Sequence, residues 1–342
     1  VNAAQGLLAV MWVALTLYAL LGGADFGAGF WDLLAGGSKA GYRPRVLIAH
    51  VIGPVWEANH VWLIFVLVLL WTGFSPVFAA VMSTLYIPLT LAALGIIGRG
   101  AAFAFRKAST ELWQQRLFGA AFALSSILTP FFLGTVAGGI ASGRVPLGVA
   151  NGDLLGSWWN PTSILGGVLA VGACAYLAAA YLCQDAVRLG APDLAEMFRR
   201  RALGTAVVVG ALALGGTAVL HADAPRLFDG LTHRGLPLVV VSALAGLTSL
   251  GMLAARRYVL VRPTAAVAVT AVLWGWAAAQ YPDMLQPGAP YTSVAATGSV
   301  LRATLAVAAV GALLLVPSLG WLFVLFQAQR THPLPAQHEP VG

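Results

Sequence analysis

GPVWEANHVWLIFVLVLL, residues 53–70, sets an acid, an amide and an imidazole (Glu57, Asn59 and His60) almost side by side, then continues without a charged residue to Leu70. Around this stretch the 342-residue chain is 59% hydrophobic and only 9% charged, whereas soluble domains carry about 25% charged residues. Apolar runs of roughly 20 residues recur along its whole length, the pattern of an all-α integral membrane protein that crosses the bilayer repeatedly. A transmembrane barrel would alternate in short segments instead. The first run lacks a basic leader and a small-residue cleavage site and carries Asp25 near its end, so it reads as a retained helix rather than a signal peptide.

Nine transmembrane helices are expected, at about 6–33, 47–72, 76–104, 117–141, 162–186, 202–221, 236–256, 263–281 and 302–328. The connections are too short to hold a soluble domain. A tail, 329–342, with three prolines and two histidines, is expected to be disordered. Basic residues divide unevenly between the two ends of these spans. Lys39, Arg43, Arg45, Arg99, Arg106, Lys107, Arg116, Arg188, Arg199, Arg200, Arg201, Arg256, Arg257, Arg262 and Arg330 fall on one side, against Arg144, Arg226, Arg234 and Arg302 on the other. Fifteen against four predicts a cytoplasmic carboxyl terminus and an outer amino terminus. The net charge of +7 is therefore topological and gives no reason to invoke nucleic acid.

Most of the twelve acids fall in connections or at span ends, but Asp25 and Glu57 do not. On a continuous second span, Glu57 lies ~15 Å from the entry point, near mid-membrane. An ionised acid there costs roughly 2.5–3.5 kcal/mol, so a protonated or paired state facing the protein is expected. His50, Glu57 and His60, spaced seven and three apart, would share one helix face, and Pro54 between them should kink the helix. Such a stripe suits a proton route with water in its gaps. It equally suits a polar cluster that holds helices together, and spacing alone leaves both open. Asp25, inside GGADFGAGFWDLL (22–34), has the same two readings, with glycines around it that permit close packing. Asp32 is expected at the cytoplasmic interface.

Haem on this chain is not expected. His50 and His60 are ten apart on one span, ~15 Å by rise, too far to serve one iron. His221 and His233 read as surface groups beside Asp223 and Asp229. Cys174 and Cys183 lie nine apart on one helix, cannot pair there, and match no metal motif. The outer segment QYPDMLQPGAPYTS (280–293), with three prolines, cannot be regular helix throughout and should form a rigid cap.

GGADFGAGFWDLL followed by IGPVWEANHVWLI (52–64), with YPDMLQP (281–287) late in the chain, resembles subunit II of the cytochrome bd-type quinol oxidases. The resemblance implies two four-helix bundles plus one additional helix. It also implies a haem-bearing subunit I as partner, carrying two haems b, one haem d and the quinol site. The complex of that family oxidises quinol and reduces dioxygen to water with cytoplasmic protons, and its turnover is electrogenic. Subunit II of the family lacks the haem ligands, and some members keep a structural quinone where the partner keeps haem. Small single-span subunits, membrane lipid and quinone complete the expected partners.

Residue by residue, Glu57 matches the family's acid in the motif here written Trp56-Glu57-Ala58-Asn59, which is implicated in proton delivery. Asn59 and Trp62 match the motif's asparagine and tryptophan, and Asp25 the first-helix acid ahead of Gly27. The common form of the motif is Trp-Asp-Gly-Asn, and many relatives have Glu or Gln at the position of His60, so the chain stands on a divergent branch. The expected proton pathway comprises Glu57, Asp25, His60, His50 and Asn59, with Trp56, Trp62, Gly27 and Pro54 shaping it. A proton-coupled secondary transporter is the alternative, although no polar counterpart to spans one and two stands out in the later spans.

Overall fold

The computed structural model describes residues 2–37, 40–52, 56–109 and 111–329. Its helices are α1 (Ala3–Leu33), α2 (Tyr42–Ile52), α3 (Trp56–Gly73), α4 (Ser75–Thr84), α5 (Tyr86–Ala108), α6 (Leu112–Ala141), α7 (Pro161–Arg188), α8 (Pro192–Asp223), α9 (Pro225–Thr232), α10 (Leu236–Ala254), α11 (Val261–Gln280), α12 (Tyr291–Val294) and α13 (Gly298–Gln329). A hairpin of β1 (Asp283–Leu285) and β2 (Ala289–Pro290) lies between α11 and α12. The tail from 330, expected to be disordered, lies outside the described residues, as do Lys39 and Pro54.

Eight helices, α1, α5, α6, α7, α8, α10, α11 and α13, are long and apolar enough to cross a membrane. The second expected span, 47–72, is described as α2 up to Ile52 and α3 from Trp56, and the described apolar part of α3 is the shorter stretch Asn59–Gly73. The third expected span is divided, at Leu85, into α4 and α5. Pro88 supplies the reason: it has no N–H for the Thr84 carbonyl, and its ring crowds that turn. Asparagines start two of the long helices. The Asn2 side chain accepts from Gln5 N at 2.7 Å, and Asn160, ahead of Pro161, accepts from Ser163 N at 2.9 Å.

Ion pairs tie alternate helix ends together and so define two sides. On one side Arg45 and Arg106 both reach Asp32, Arg43 binds Asp193, Arg256 reaches Glu196, and Arg262 binds Asp185. On the other, Arg144 bonds Asp223 at 2.7 Å, and Asp223 also accepts from the backbone N–H of Thr162 at the start of α7. Arg234 there donates to the Tyr281 and Ala279 carbonyls at the end of α11. Between α6 and α7, the N–H groups of Gly156 and Leu155 hold the Asp153 carboxyl below the usual carboxylate range.

The apolar core has a large part at each side. The larger joins the ends of α1, α7 and α10 to the starts of α8 and α11, around Trp31, Leu182, Phe198 and Leu253. The second gathers Leu7, Phe74, Val81, Trp158 and Leu301 with Leu285 and Tyr291 of the hairpin region. The hairpin turns at Gly288, with φ of +86°, which is why the loop caps the bundle without being helical. By contrast α8, α10 and α13 present mainly exposed apolar side chains, such as Leu214, Leu247 and Leu313.

Candidate functional site

A buried ion pair joins α1 and α5. Arg99 donates to Asp25 through both terminal nitrogens, Nη1 to Oδ2 at 2.7 Å and Nη2 to Oδ1 at 2.8 Å, and reaches the Asp25 carbonyl at 3.2 Å. Asp25 is 5% exposed and Arg99 1%. The guanidinium carbon lies over the Phe26 ring of α1 at 5.0 Å and over the Phe122 ring of α6 at 4.9 Å, two cation–π contacts. Arg99 had been counted with the cytoplasmic flanks. It is instead an interior residue nine positions before the end of α5. The charge asymmetry then rests on fourteen residues against four, and its direction is unchanged. A cation well inside an apolar run, next to Gly98, was the signal available.

Glycines bring the helices close enough for this pair to form. A Cβ on Gly27 would lie 1.8 Å from the Cys174 carbonyl oxygen, and one on Gly29 would lie 2.2 Å from Ser126 Oγ. The backbone of α1 is therefore in direct contact with α7 on one face and α6 on another. Trp31 locks the α7 contact by donating from its indole N–H to the Ala175 carbonyl at 2.8 Å. Across α5 and α6, Gly95 meets Thr129 and Gly98 meets Ser125. The small-residue spacings in the sequence are thus real interhelical contacts.

Asn59 is buried on α3 and donates to the Leu21 carbonyl of α1 at 3.3 Å, a helix-to-helix tie. His60, the next residue, packs its ring 6.1 Å from Tyr18 and 5.9 Å from Phe26. Asn59, His60 and Asp25 are therefore gathered on the α1–α3–α5 side of the bundle. His50 stands apart on α2, half-buried, with its Nε2 atom unpartnered. The common face expected for His50, Glu57 and His60 runs through 53–55 and the Glu57 side chain, which lie outside the described residues. Trp56 and Glu57 open α3, but their side chains lie outside the described residues. Trp62 is half-buried. Asp32 lies at the charged side, held by Arg106 at 2.9 Å and Arg45 at 3.3 Å. Tyr18, Phe26, Arg99 and Phe122 are the site residues that pattern reading passed over.

No cluster of three His, Cys, Asp or Glu side chains able to hold a metal exists among the described residues. His221 and His233 are exposed, and Cys174 and Cys183 are free thiols on α7. An apolar groove of about 300 Å³ runs between α10 and α11, lined by Leu238, Val241, Ala266, Val267, Thr270, Ala271 and Trp274. The Trp274 N–H in its wall is given to Thr16 Oγ1 at 3.1 Å, and Thr270 is the other polar residue of the lining.

Together these features define a polytopic helical membrane protein with a tightly bonded buried ion pair, Asp25–Arg99, beside a short polar patch. The chain belongs to the cytochrome bd terminal oxidase subunit II family, whose profile matches residues 4–326. Over 130 residues it is 34% identical to cytochrome bd ubiquinol oxidase subunit 2 of Bacillus subtilis, covering 38% of this chain and 37% of that protein. Cytochrome bd-I ubiquinol oxidase subunit 2 of Escherichia coli is 27% identical over 176 residues, 50% of this chain and 45% of that one. The matched stretches thus span less than half the length of either curated relative. The fold is similar to a chain of the bd oxidase from Geobacillus thermodenitrificans, with a TM-score of 0.74 at 23% identity, covering 95% of this chain and 98% of that one.

Proposed function

We propose that this chain is the non-haem subunit of a respiratory terminal oxidase that oxidises quinol and reduces dioxygen to water. The observation that carries this reading is the family match along nearly the whole chain, 4–326. The haems b and d and the quinol chemistry belong to a subunit I partner. The charged side, rich in arginine, faces the cytoplasm, with the amino terminus outside. The family match favours this reading over a proton-coupled carrier. Purification through a tag on this chain should bring down a second large subunit and a reduced-minus-oxidised spectrum with b- and d-type bands. A colourless single-chain preparation from membranes that contain the partner would overturn the reading.

Within the complex, this chain supplies part of the route by which cytoplasmic protons reach the partner's reaction centre. Glu57 is the relay group. His60, His50 and Asn59 extend or hold the chain of waters, and Asp25, bound by Arg99, fixes the charge beside it. Supporting this assignment is the gathering of Asn59, His60 and Asp25 around α1. Glu57→Gln in the assembled complex is expected to lower oxygen consumption by at least about tenfold, because positioned proton transfer is worth about 100-fold or more. Normal consumption with an undiminished membrane potential would remove Glu57 from the mechanism.

A further inference from the structure

Tyr18 stands midway along α1 and is 5% exposed, yet its hydroxyl has no hydrogen-bond partner. Both ring nitrogens of His60 are buried and unpartnered as well. The two rings lie 6.1 Å apart at an interplanar angle of 50°, and Phe26 closes the triangle at 6.5 Å from Tyr18 and 5.9 Å from His60. A neutral imidazole carries one donor and one acceptor, and a phenol one donor with free lone pairs. Three unmet polar atoms on facing side chains of two helices are far from the native pattern, in which buried polar groups are bonded.

We propose that Tyr18 and His60 form an internal water-binding site between α1 and α3, beside the Asp25–Arg99 pair and distinct from it. A water that accepts from one group and donates to the next joins polar atoms about 5.5 Å apart. Buried waters occupy such places, where two to four protein groups converge with unmet hydrogen bonds. Neither Tyr18 Oη nor a His60 ring nitrogen is bonded to the ion pair, whose two carboxylate oxygens each accept from Arg99.

Its use as a proton relay rests on the oxidase reading, whereas the water site does not. Any proton delivered along this part of α1 passes through the Tyr18–His60 water, and Asp25 stays a fixed counter-charge. A proton that reaches this water as hydronium passes to the bare ring nitrogen of His60 and leaves a neutral water behind. The other ring nitrogen then gives its N–H proton to a second water, and the ring returns to neutrality in its other tautomer.

The test is a density map of the intact wild-type complex at a resolution that resolves water, paired with the Tyr18→Phe complex. The expected wild-type result is an ordered water within hydrogen-bond distance of Tyr18 Oη and one His60 ring nitrogen. Tyr18→Phe should remove that density, lower the melting temperature, and slow proton uptake in reconstituted vesicles. A wild-type map without water there overturns the proposal, as does a Tyr18→Phe complex that melts higher, the sign of a dry orphan hydroxyl relieved. The wild-type map decides the question even where the variant does not assemble. A water seen beside His60 in a preparation lacking haem bands would uphold the site while removing the oxidase reading, so the two failures are separable.

Discussion

Arg99→Met is expected to destabilise the subunit by about 3–5 kcal/mol, because it leaves the Asp25 carboxylate buried without its counter-charge. Methionine keeps an apolar stem between the Phe26 and Phe122 rings, now 5.0 and 4.9 Å from the guanidinium carbon, so most of the loss reports charge rather than volume. What disappears is a two-pronged pair with bonds of 2.7 and 2.8 Å, together with the cation–π contacts, which are worth roughly 2 kcal/mol when desolvated. The double variant Asp25→Leu/Arg99→Met should recover most of the stability, since a buried pair replaced by apolar groups of similar size is often close to neutral. Melting of the detergent-solubilised complex and its yield, compared across wild type, both single variants and the double, measure this. A single Arg99→Met variant that melts like the wild type would mean that the carboxylate reaches water, against its 5% exposure.

The membrane class and the alternation of sides were legible because both depend on composition and on where arginines fall between apolar runs. The cross-links Arg106–Asp32, Arg43–Asp193 and Arg262–Asp185 join the loops that charge counting had put on one side. Glycine spacing was legible too, but only as a permission for close contact. Which helix fills the notch at Gly27 is a tertiary fact, absent from any local pattern. Arg99 was misassigned for a related reason: counting charges near span ends cannot tell a snorkelling side chain from one turned inward to a carboxylate 74 residues earlier. The interruption at Leu85 was blurred because hydropathy averages over a window and registers no single missing N–H. Tyr18 and Phe26 carried no signal at all, since an aromatic residue in an apolar helix looks the same whether it meets lipid or lines a polar site.

Gly27→Ala is expected to be nearly as damaging as loss of Arg99, on the order of 3 kcal/mol or more, although it adds one carbon. That carbon would stand 1.8 Å from the Cys174 carbonyl oxygen and 2.8 Å from the Ala178 Cβ. The obstruction is backbone, so no side-chain rotation relieves it, and α1 must retreat from α7 by on the order of 1–2 Å to restore van der Waals distance. A shift of that size stretches the 2.8 Å bond from Trp31 to the Ala175 carbonyl and carries Asp25, two residues away, off its fitted geometry with Arg99. The control is Gly215→Ala on the exposed face of α8, where nothing lies within 4 Å of the added carbon. There the substitution should stabilise by roughly 0.5–1 kcal/mol through helix propensity alone. Melting temperature and the fraction of monodisperse complex after solubilisation distinguish the two. If Gly27→Ala behaves like Gly215→Ala, α1 and α7 do not touch through their backbones, and the contact that holds the buried pair in register is some other one.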